Sequence, residues 1–201
     1  MRSHTLTALA FAALGAITLA ACSVSTTSSD DQTTTPDERP VDLLHARGRA
    51  AEAIAAIEKQ VGAAPAQSSY ILVYPEYMDV KAQDPAIPEH IDEYEWRDGN
   101  VSGPEPVHLS GPQEETDASL FPTTAVRWRD LPAIISEVEA RARHARPTRI
   151  EDARASYVIV ERSTSPADDG RVEISIYLDG PRRSGRAELT ASGDIIALTV
   201  N

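Results

Sequence analysis

Hydrophobic positions in the first third of the chain recur at helical spacing. They step along the sequence by seven, four, three and four residues: Leu43, Ala50, Ile54, Ile57 and Val61. Residues at these steps share one face of an α-helix, and Gly62 directly afterwards is a typical helix stop. We therefore predict an amphipathic helix that packs against a sheet with its apolar side.

A second helical pattern follows in the last third. Its apolar positions fit the i, i+3, i+4, i+7 rule: Leu131, Ile134, Ile135, Val138, Ala142 and Ala145. Asp130 stands where a residue can cap the first turn, Pro132 is tolerated inside that turn, and Pro147 ends the helix. The sequence thus predicts a second helix from Leu131 to Ala145.

Strand patterns follow the first helix. The run 70–74 is β-branched and aromatic, and 78–82 continues it beyond Pro75, where a break or an edge position is expected because proline cannot donate a ladder hydrogen bond. Residues 91–97 alternate and end in Asp98-Gly99-Asn100, which is a strong turn signal. A weaker strand is predicted over 101–109.

Strand patterns also follow the second helix. Strands are predicted over 157–161, 172–178, 186–189 and 195–200, with turns at 166–170, 180–185 and 192–194. In the strand over 172–178 apolar and polar positions alternate. We expect the apolar set to face the helix: Val172, Ile174, Ile176 and Leu178. We expect the other set to face water: Glu173, Ser175, Tyr177 and Asp179.

The order of a helix followed by strands therefore occurs twice, with three strands predicted in the first copy and four in the second. Short stretches echo across the copies, namely 69–73 with 156–160 and 96–99 with 177–180. We predict an α+β fold of tandem helix-plus-antiparallel-meander units with the helices on one face of the sheet. The predicted divisions are a first repeat over 41–109, a linker over 110–125 and a second repeat over 126–201.

The N-terminal segment has the layout of a secretory signal. Arg2 precedes an apolar run from Leu6 to Ala21, which closes with small residues before Cys22. A plain signal peptide with a chance cysteine is one alternative. A transmembrane helix is another, but the run is shorter than the ~20 residues needed to cross a bilayer. Residues 22–40 are rich in Ser, Thr, Asp and Gln, a composition that predicts a flexible tether.

The tetrapeptide Leu19-Ala20-Ala21-Cys22 resembles a bacterial lipobox. The resemblance implies that residues 1–21 are a lipoprotein signal peptide, that the thiol of Cys22 receives a diacylglyceryl group, and that Cys22 becomes the mature N-terminus. The expected location is the outer face of the cell membrane, with lipid on Cys22 as the membrane contact. Cys22 is the sole cysteine, so its lipidation leaves none for a disulfide or a metal site.

Charge is distributed unevenly along the mature chain. Residues 22–125 hold 6 Lys and Arg against 19 Asp and Glu, whereas residues 126–201 hold 12 of each class. An acidic first half repels phosphate backbones, so nucleic acid is not an expected partner. It also repels an anionic bilayer, so a basic patch is not expected to hold the protein at the membrane.

A meander that ends in Ala191-Ser192-Gly193-Asp194-Ile195-Ile196 is similar to the extracytoplasmic PepSY-type module, whose last hairpin typically carries an Asp-x-x-Gly-x-hydrophobic pattern. Ala191 stands where an Asp is usual. Tandem copies resemble the architecture of the β-lactamase inhibitory protein and of small actinobacterial lipoproteins. The resemblance covers most of 41–201 and implies a binding or regulatory module and not a catalyst.

The residues themselves do not point to an enzyme or a cofactor. There is no Gly-x-Ser-x-Gly elbow, and the mature histidines His45, His90, His108 and His144 lie in no recognised catalytic motif. The acidic stretch 89–93 could ligate a hard cation, but it lacks the spaced Asp and Gly of a calcium loop, and a solvated strand edge is the better interpretation. Arginines in 141–154 could bind an acidic partner, although pairing with the acidic first half is the favoured alternative.

We therefore expect a non-catalytic binding or scaffold module whose partner is an extracytoplasmic protein or another envelope component. A cell-envelope hydrolase is the alternative. Candidate partner-binding residues are Tyr94, Trp96 and Tyr177. If the turns at Asp98 and Asp179 are aligned, Trp96 and Tyr177 both face water. A one-residue shift places Tyr94 and Trp96 in the core, and we favour it because it leaves Glu93 and Glu95 in water.

Overall fold

The computed structural model describes residues 41–165 and 168–201, and these form an α+β fold with three α-helices and one nine-stranded antiparallel sheet. The helices are α1 (Arg49–Val61), α2 (Gln113–Ser119) and α3 (Leu131–His144). The strands are β1 (Gln67–Val73), β2 (Tyr77–Gln83), β3 (Ile91–Arg97), β4 (Asn100–Pro106), β5 (Phe121–Pro122), β6 (Arg154–Arg162), β7 (Val172–Asp179), β8 (Ser184–Thr190) and β9 (Ile195–Val200).

The two predicted repeats share one continuous sheet. Its strand order is β4-β3-β2-β1-β6-β7-β8-β9, and the short β5 pairs with one end of β1. The halves join at β1 and β6, where Ile71 is opposite Val160 and Val73 is opposite Val158. Each half therefore supplies one long helix followed by a meander of four strands.

Both long helices lie on the same face of this sheet, because the buried residues of α1 and α3 belong to one core with the paired Ile71 and Val160 of β1 and β6. Ile174, Ile176 and Leu178 of β7 are fully or almost fully buried in one core with Ile135 and Val138 of α3. The predicted register of β7 is thus confirmed. We call the opposite face of the sheet the open face, since neither long helix lies on it; the short α2 contacts β1.

One residue of β7 departs from the predicted alternation. Ser175 lies on the open face, where the sequence predicts exposure, yet only 3 % of its surface is accessible. The guanidinium of Arg186 lies across it and donates a hydrogen bond of 2.9 Å to Ser175 Oγ. The expectation of a fully wet side chain at Ser175 is therefore wrong, since a long side chain on β8 covers it.

The first repeat has four strands where the sequence predicts three. Residues 70–74 and 78–82 belong to separate strands that pair antiparallel, and the turn between them is closed by the Tyr74 N–H donating to Tyr77 O at 2.9 Å. The predicted break at Pro75 is confirmed. Asp98 and Gly99 adopt φ values of 51° and 82°, which gives the tight turn predicted between β3 and β4.

The helix ends follow simple backbone rules. Gly62 has φ 83° and its N–H donates to Glu58 O, so the predicted stop is confirmed. The helix α1 begins at Arg49, which is later than the apolar pattern starting at Leu43 suggests, because Gly48 precedes it with φ 81°. Asp130 occupies the N-cap position of α3 without a side-chain capping hydrogen bond. The stretch between the halves, predicted as a linker, holds α2 and β5.

The predictions for the signal peptide, the tether and Cys22 fall on residues 1–40, which lie outside the described residues. None of the helices in the described ranges has the length and apolarity that a membrane span requires.

Candidate functional site on the open face of the sheet

The three aromatic residues singled out from the sequence lie on opposite faces of the sheet. Tyr94 and Trp96 belong to the core beneath the helices, with 5 % and 4 % of their surfaces accessible. This is the register that we favoured, and it is confirmed. Tyr177 is half-buried on the open face, directly opposite Tyr157 of β6 and Arg186 of β8. The structure therefore does not bring the three residues together.

Four tyrosines form a line across the open face, perpendicular to the strands, and this line begins beside the turn between β1 and β2. We call them the tyrosine row, and they come in the order Tyr77, Tyr74, Tyr157 and Tyr177. Their ring centroids are 4.8, 5.2 and 4.3 Å apart, which is close to the spacing between strands. Because Tyr77 and Tyr74 come from the first half and Tyr157 and Tyr177 from the second, the row exists only when β1 pairs with β6.

An arginine closes each end of the row. The guanidinium carbon of Arg97 lies 4.4 Å from the ring centroid of Tyr77, and that of Arg186 lies 5.6 Å from the centroid of Tyr177. Cations over aromatic faces are attracted by the ring quadrupole. Arg97 also donates to Glu95 at 3.0 Å, and Arg186 lies 3.4 Å from Glu188, so both guanidinium groups are held in place.

The rings in the row stand upright on the sheet. Neighbouring ring planes differ by only 15° to 26°, and flat rings placed side by side could not bring their centroids this close. The faces of the rings therefore meet one another, and their edges and hydroxyl groups point towards solvent. No other described residue forms a hydrogen bond with these four hydroxyls.

Two of these hydroxyls are less acidic than an ordinary tyrosine. Desolvation is the main cause that raises the pKa of Tyr77 and Tyr157 above the ordinary value of 10.0. Neutral phenols both donate and accept hydrogen bonds, so the row presents a line of free polar groups on an apolar ridge. These hydroxyl groups can form hydrogen bonds with a partner, while the rings beneath them pack against its apolar surface.

Carboxylates dominate the rest of the open face. From β3 to β8 it carries seven of them: Asp79, Glu93, Glu95, Glu161, Glu173, Asp179 and Glu188. The cations at positions of the same face are Lys81, Arg97, Arg186 and, opposite Asp179, Arg154.

Asp79 shows the effect of this excess on one side chain. Burial raises its pKa to about 6, and the nearby charges of Glu95 and Glu93 add to the shift. Burial and the two neighbouring carboxylates both favour the protonated form of Asp79, and the charges of Glu93 and Glu95 would also attract a cation.

A groove borders one end of the row. It encloses about 430 Å³ between β6, β7, β8 and β9, and its lining includes Tyr157, Tyr177, Arg186 and Thr199. Polar and charged groups line most of it, which differs from the mostly apolar lining of small-molecule sites. The groove extends the open face rather than forming an enclosed pocket.

The structure also contains a histidine between carboxylates, which is the arrangement that the hydrolase alternative requires. His45 Nε2 lies 2.9 Å from Glu139 Oε1, and His45 Nδ1 lies 3.1 Å from both carboxylate oxygens of Asp42. Both ring nitrogens are thus engaged by acids, so neither is free to take a proton from a nucleophile. The arrangement serves packing between α3 and the chain before α1.

The other candidate clusters disperse in the structure. Asp92 and Glu93 point to opposite faces of β3, and no group of three or more potential metal ligands occurs within 41–165 and 168–201. In the arginine-rich stretch, Arg141 pairs with Glu137, Arg143 with Glu139 and Arg149 with Glu151. These partners are local, so the favoured expectation that the arginines pair with the acidic first half is wrong for these three.

Sequence reasoning identified one member of the tyrosine row, Tyr177, and missed the other three. The sequence places Tyr74 at the end of the strand pattern 70–74 and Tyr157 at the start of the strand 157–161, without assigning either to a face. The available signal was the phase of the alternation, because Tyr157 alternates with the buried Val158 and Val160 in the way that Tyr177 alternates with Ile176. Comparison with protein-family models, with curated proteins and with solved structures finds no match to this chain.

Proposed function

We propose that the protein is a lipid-anchored binding module on the outer face of the cell membrane, and that its open sheet face is the binding surface. The observation that carries the proposal is the tyrosine row. Tyrosine and arginine are the residue types that dominate binding hot spots, and here they form one continuous row on the face opposite the two long helices.

The energy of the row supports a binding role over a structural one. Stacked pairs contribute about 0.5–1.5 kcal/mol each, but aligning four half-buried tyrosines on a water-facing surface leaves their hydroxyl groups without protein partners. Apolar side chains that are fully buried in the core would stabilise the fold more than these half-buried rings do. A partner that covers the open face would account for the tyrosine row.

The lipid anchor is supported by the sequence around Cys22. The two acyl chains of a diacylglyceryl group would hold the module stably at the bilayer and raise its effective concentration for membrane-bound partners. The location and the anchor both follow from the lipobox-like tetrapeptide and from the signal-like segment before it.

We further propose that the fold arose by duplication of a PepSY-like unit. The repeated order of one helix and four strands supports this, and so does the junction of the halves at the first strand of each, β1 and β6. In this proposal each unit is a meander on which one helix packs, and the binding face is created where the units join.

The hydrolase alternative is less well supported. It needs a base with a free nitrogen beside a nucleophile, and both nitrogens of His45 contact carboxylates. We therefore keep the binding module as the proposed function.

Two measurements test the proposal. Metabolic labelling with a fatty acid should modify the wild-type protein and not Cys22→Ser, and label retained on that variant would refute the anchor. Photo-crosslinking residues placed at Asn100 and Thr199, on β4 and β9 at the two ends of the row, should give the same adduct in intact cells. A crosslinker at Ala55, exposed on α1, is the matched control. Equal results from all three positions would refute binding through the open face.

A further inference from the structure

We infer that the occupant of the open face is a folded protein whose contact surface is basic. The inference rests on the proposed function and adds the class of the partner and the sign of its charge. It follows from the size of the face, the orientation of the tyrosine rings and the placement of unpaired carboxylates.

The size of the face matches a protein interface. Eight strands spaced by about 4.8 Å and seven residues long at about 3.3 Å each give an area on the order of 800 Å². A standard protein–protein interface buries about 800 Å² on each partner.

The ring orientation disfavours a sugar chain as the occupant. A sugar that stacks on an aromatic residue needs an open ring face, and in the tyrosine row the faces are covered by neighbouring rings. The two terminal faces are covered by Arg97 and Arg186. What remains accessible is a ridge of ring edges and hydroxyl groups, which suits the backbone and side-chain groups of a protein surface.

The charges on the face specify the sign of the partner. Glu95 and Glu188 are paired with the arginines at the ends of the row, and Glu173 is paired with Arg171. Four further carboxylates, Asp79, Glu93, Glu161 and Asp179, have no ion pair with any described residue. Lysine or arginine side chains of a partner would pair with them, and complementary potentials of this kind set both the specificity and the rate of association.

The same charges argue against a second copy of this chain. Two open faces in contact would bring the unpaired carboxylates of both copies together, and like charges in an interface cost several kcal/mol. A homodimer through this face is therefore the outcome that the charge distribution opposes most directly.

The experiment starts from the adducts formed by the crosslinkers at Asn100 and Thr199. The captured species is identified by mass spectrometry, purified, and titrated with the full-length protein by calorimetry at ~50 mM and ~300 mM NaCl, between which charge screening increases strongly. The test variant is Glu93→Gln combined with Glu161→Gln, and the control is Glu137→Gln on the outer side of α3. Tyr157→Phe removes one hydroxyl and keeps the ring stack.

We expect a folded protein whose dissociation constant rises about tenfold at the higher salt, as for complexes steered by charge. The double glutamine variant should weaken binding by a similar factor, Tyr157→Phe should weaken it measurably, and Glu137→Gln should not. A captured glycan, a second copy of this chain, or a protein whose affinity is insensitive to salt and to the double variant would overturn the inference. In each of these cases binding through the open face would still stand, whereas absence of any adduct specific to the open face would refute the proposed function itself.

Discussion

His45 Nε2 lies 2.9 Å from Glu139 Oε1, and this contact joins the segment before α1 to the middle of α3. Glu139 is 6 % exposed and also accepts a hydrogen bond of 3.0 Å from the backbone N–H of Ala155, at the start of β6. The carboxylate is therefore a buried charge that is satisfied from three directions, with Arg143 3.6 Å away. Glu139 therefore links the two halves of the fold through side-chain contacts outside the strand pairing of the sheet.

Replacement of this carboxylate should destabilise the fold. We expect Glu139→Gln to lower the free energy of unfolding by about 1–3 kcal/mol at about pH 7, because buried donors lose a charged acceptor. The matched control is Glu137→Gln, an exposed position paired with Arg141, for which we expect a change below about 0.5 kcal/mol. Urea denaturation of the three proteins gives the comparison, and equal midpoints for the two variants would contradict the prediction.

The effect of Glu139 should depend on pH in a defined direction. Burial opposes ionisation of this carboxyl, but hydrogen bonds from His45 and from the Ala155 N–H outweigh it, and the pKa lies below the ordinary value of 4.5. A lowered pKa in the folded state stabilises the protein above the unfolded pKa, and this stabilisation is lost as the pH falls. The difference between wild type and Glu139→Gln should therefore shrink below about pH 4.

Asp79 should show the opposite dependence. Its pKa is about 6 in the folded protein against 3.8 ordinarily, mainly through burial and then through Glu95 and Glu93. The folded state binds the proton more tightly, so this group costs stability as the pH rises through 6. Because the side chain is partly exposed, we expect Asp79→Asn to stabilise the protein by only about 1 kcal/mol at about pH 7. Thermal unfolding should show no gain below about pH 4, and a gain that persists there would exclude the electrostatic cause.

The register of β7 gives a third kind of test. Ile176→Asp places an unpaired carboxylate in the core under α3, and we expect it to cost more than about 3 kcal/mol or to prevent folding. Thr199→Asp, on the exposed end of the open face, should change stability by less than about 0.5 kcal/mol. Similar melting temperatures for the two variants would reject the assignment of the faces.

Trp96 allows a spectroscopic check of the first half. Trp128 is also buried and donates to Thr123 O at 2.8 Å, so the measurement requires a Trp128→Phe background. With 4 % of its surface accessible, Trp96 should emit at short wavelength and resist quenching by iodide. Red-shifted and freely quenched emission from a protein with native circular dichroism would place Trp96 at the surface instead.

The elements that the sequence predicted well are those whose signals are local. Alternation placed Ile174 and Ile176 in the core, and the pair Asp98-Gly99 marked a tight turn, since each signal lies within a few neighbouring residues. The hairpin at Pro75 was missed as a hairpin because its turn contains no glycine or asparagine. A proline alone indicates a break and does not say that the chain reverses.

The candidate site lay beyond local reasoning for a physical reason. The tyrosine row is assembled from strands that are far apart in sequence, and its centre, the contact between Tyr74 and Tyr157, depends on the pairing of β1 with β6. No spacing rule within one strand contains that register. The burial of Ser175 has a similar origin, because it is caused by a side chain from the next strand.

The junction of β1 and β6 also exposes the chain to error while it folds. Until the second half has emerged and folded, β1 presents unsatisfied backbone groups and the apolar side chains of Ile71 and Val73 on a bare sheet edge. A neighbouring copy in the same state offers an identical edge, and two such strands can pair with each other instead. Edge-to-edge association through β1 is therefore the failure to look for when the protein is produced at high concentration or truncated after the first repeat.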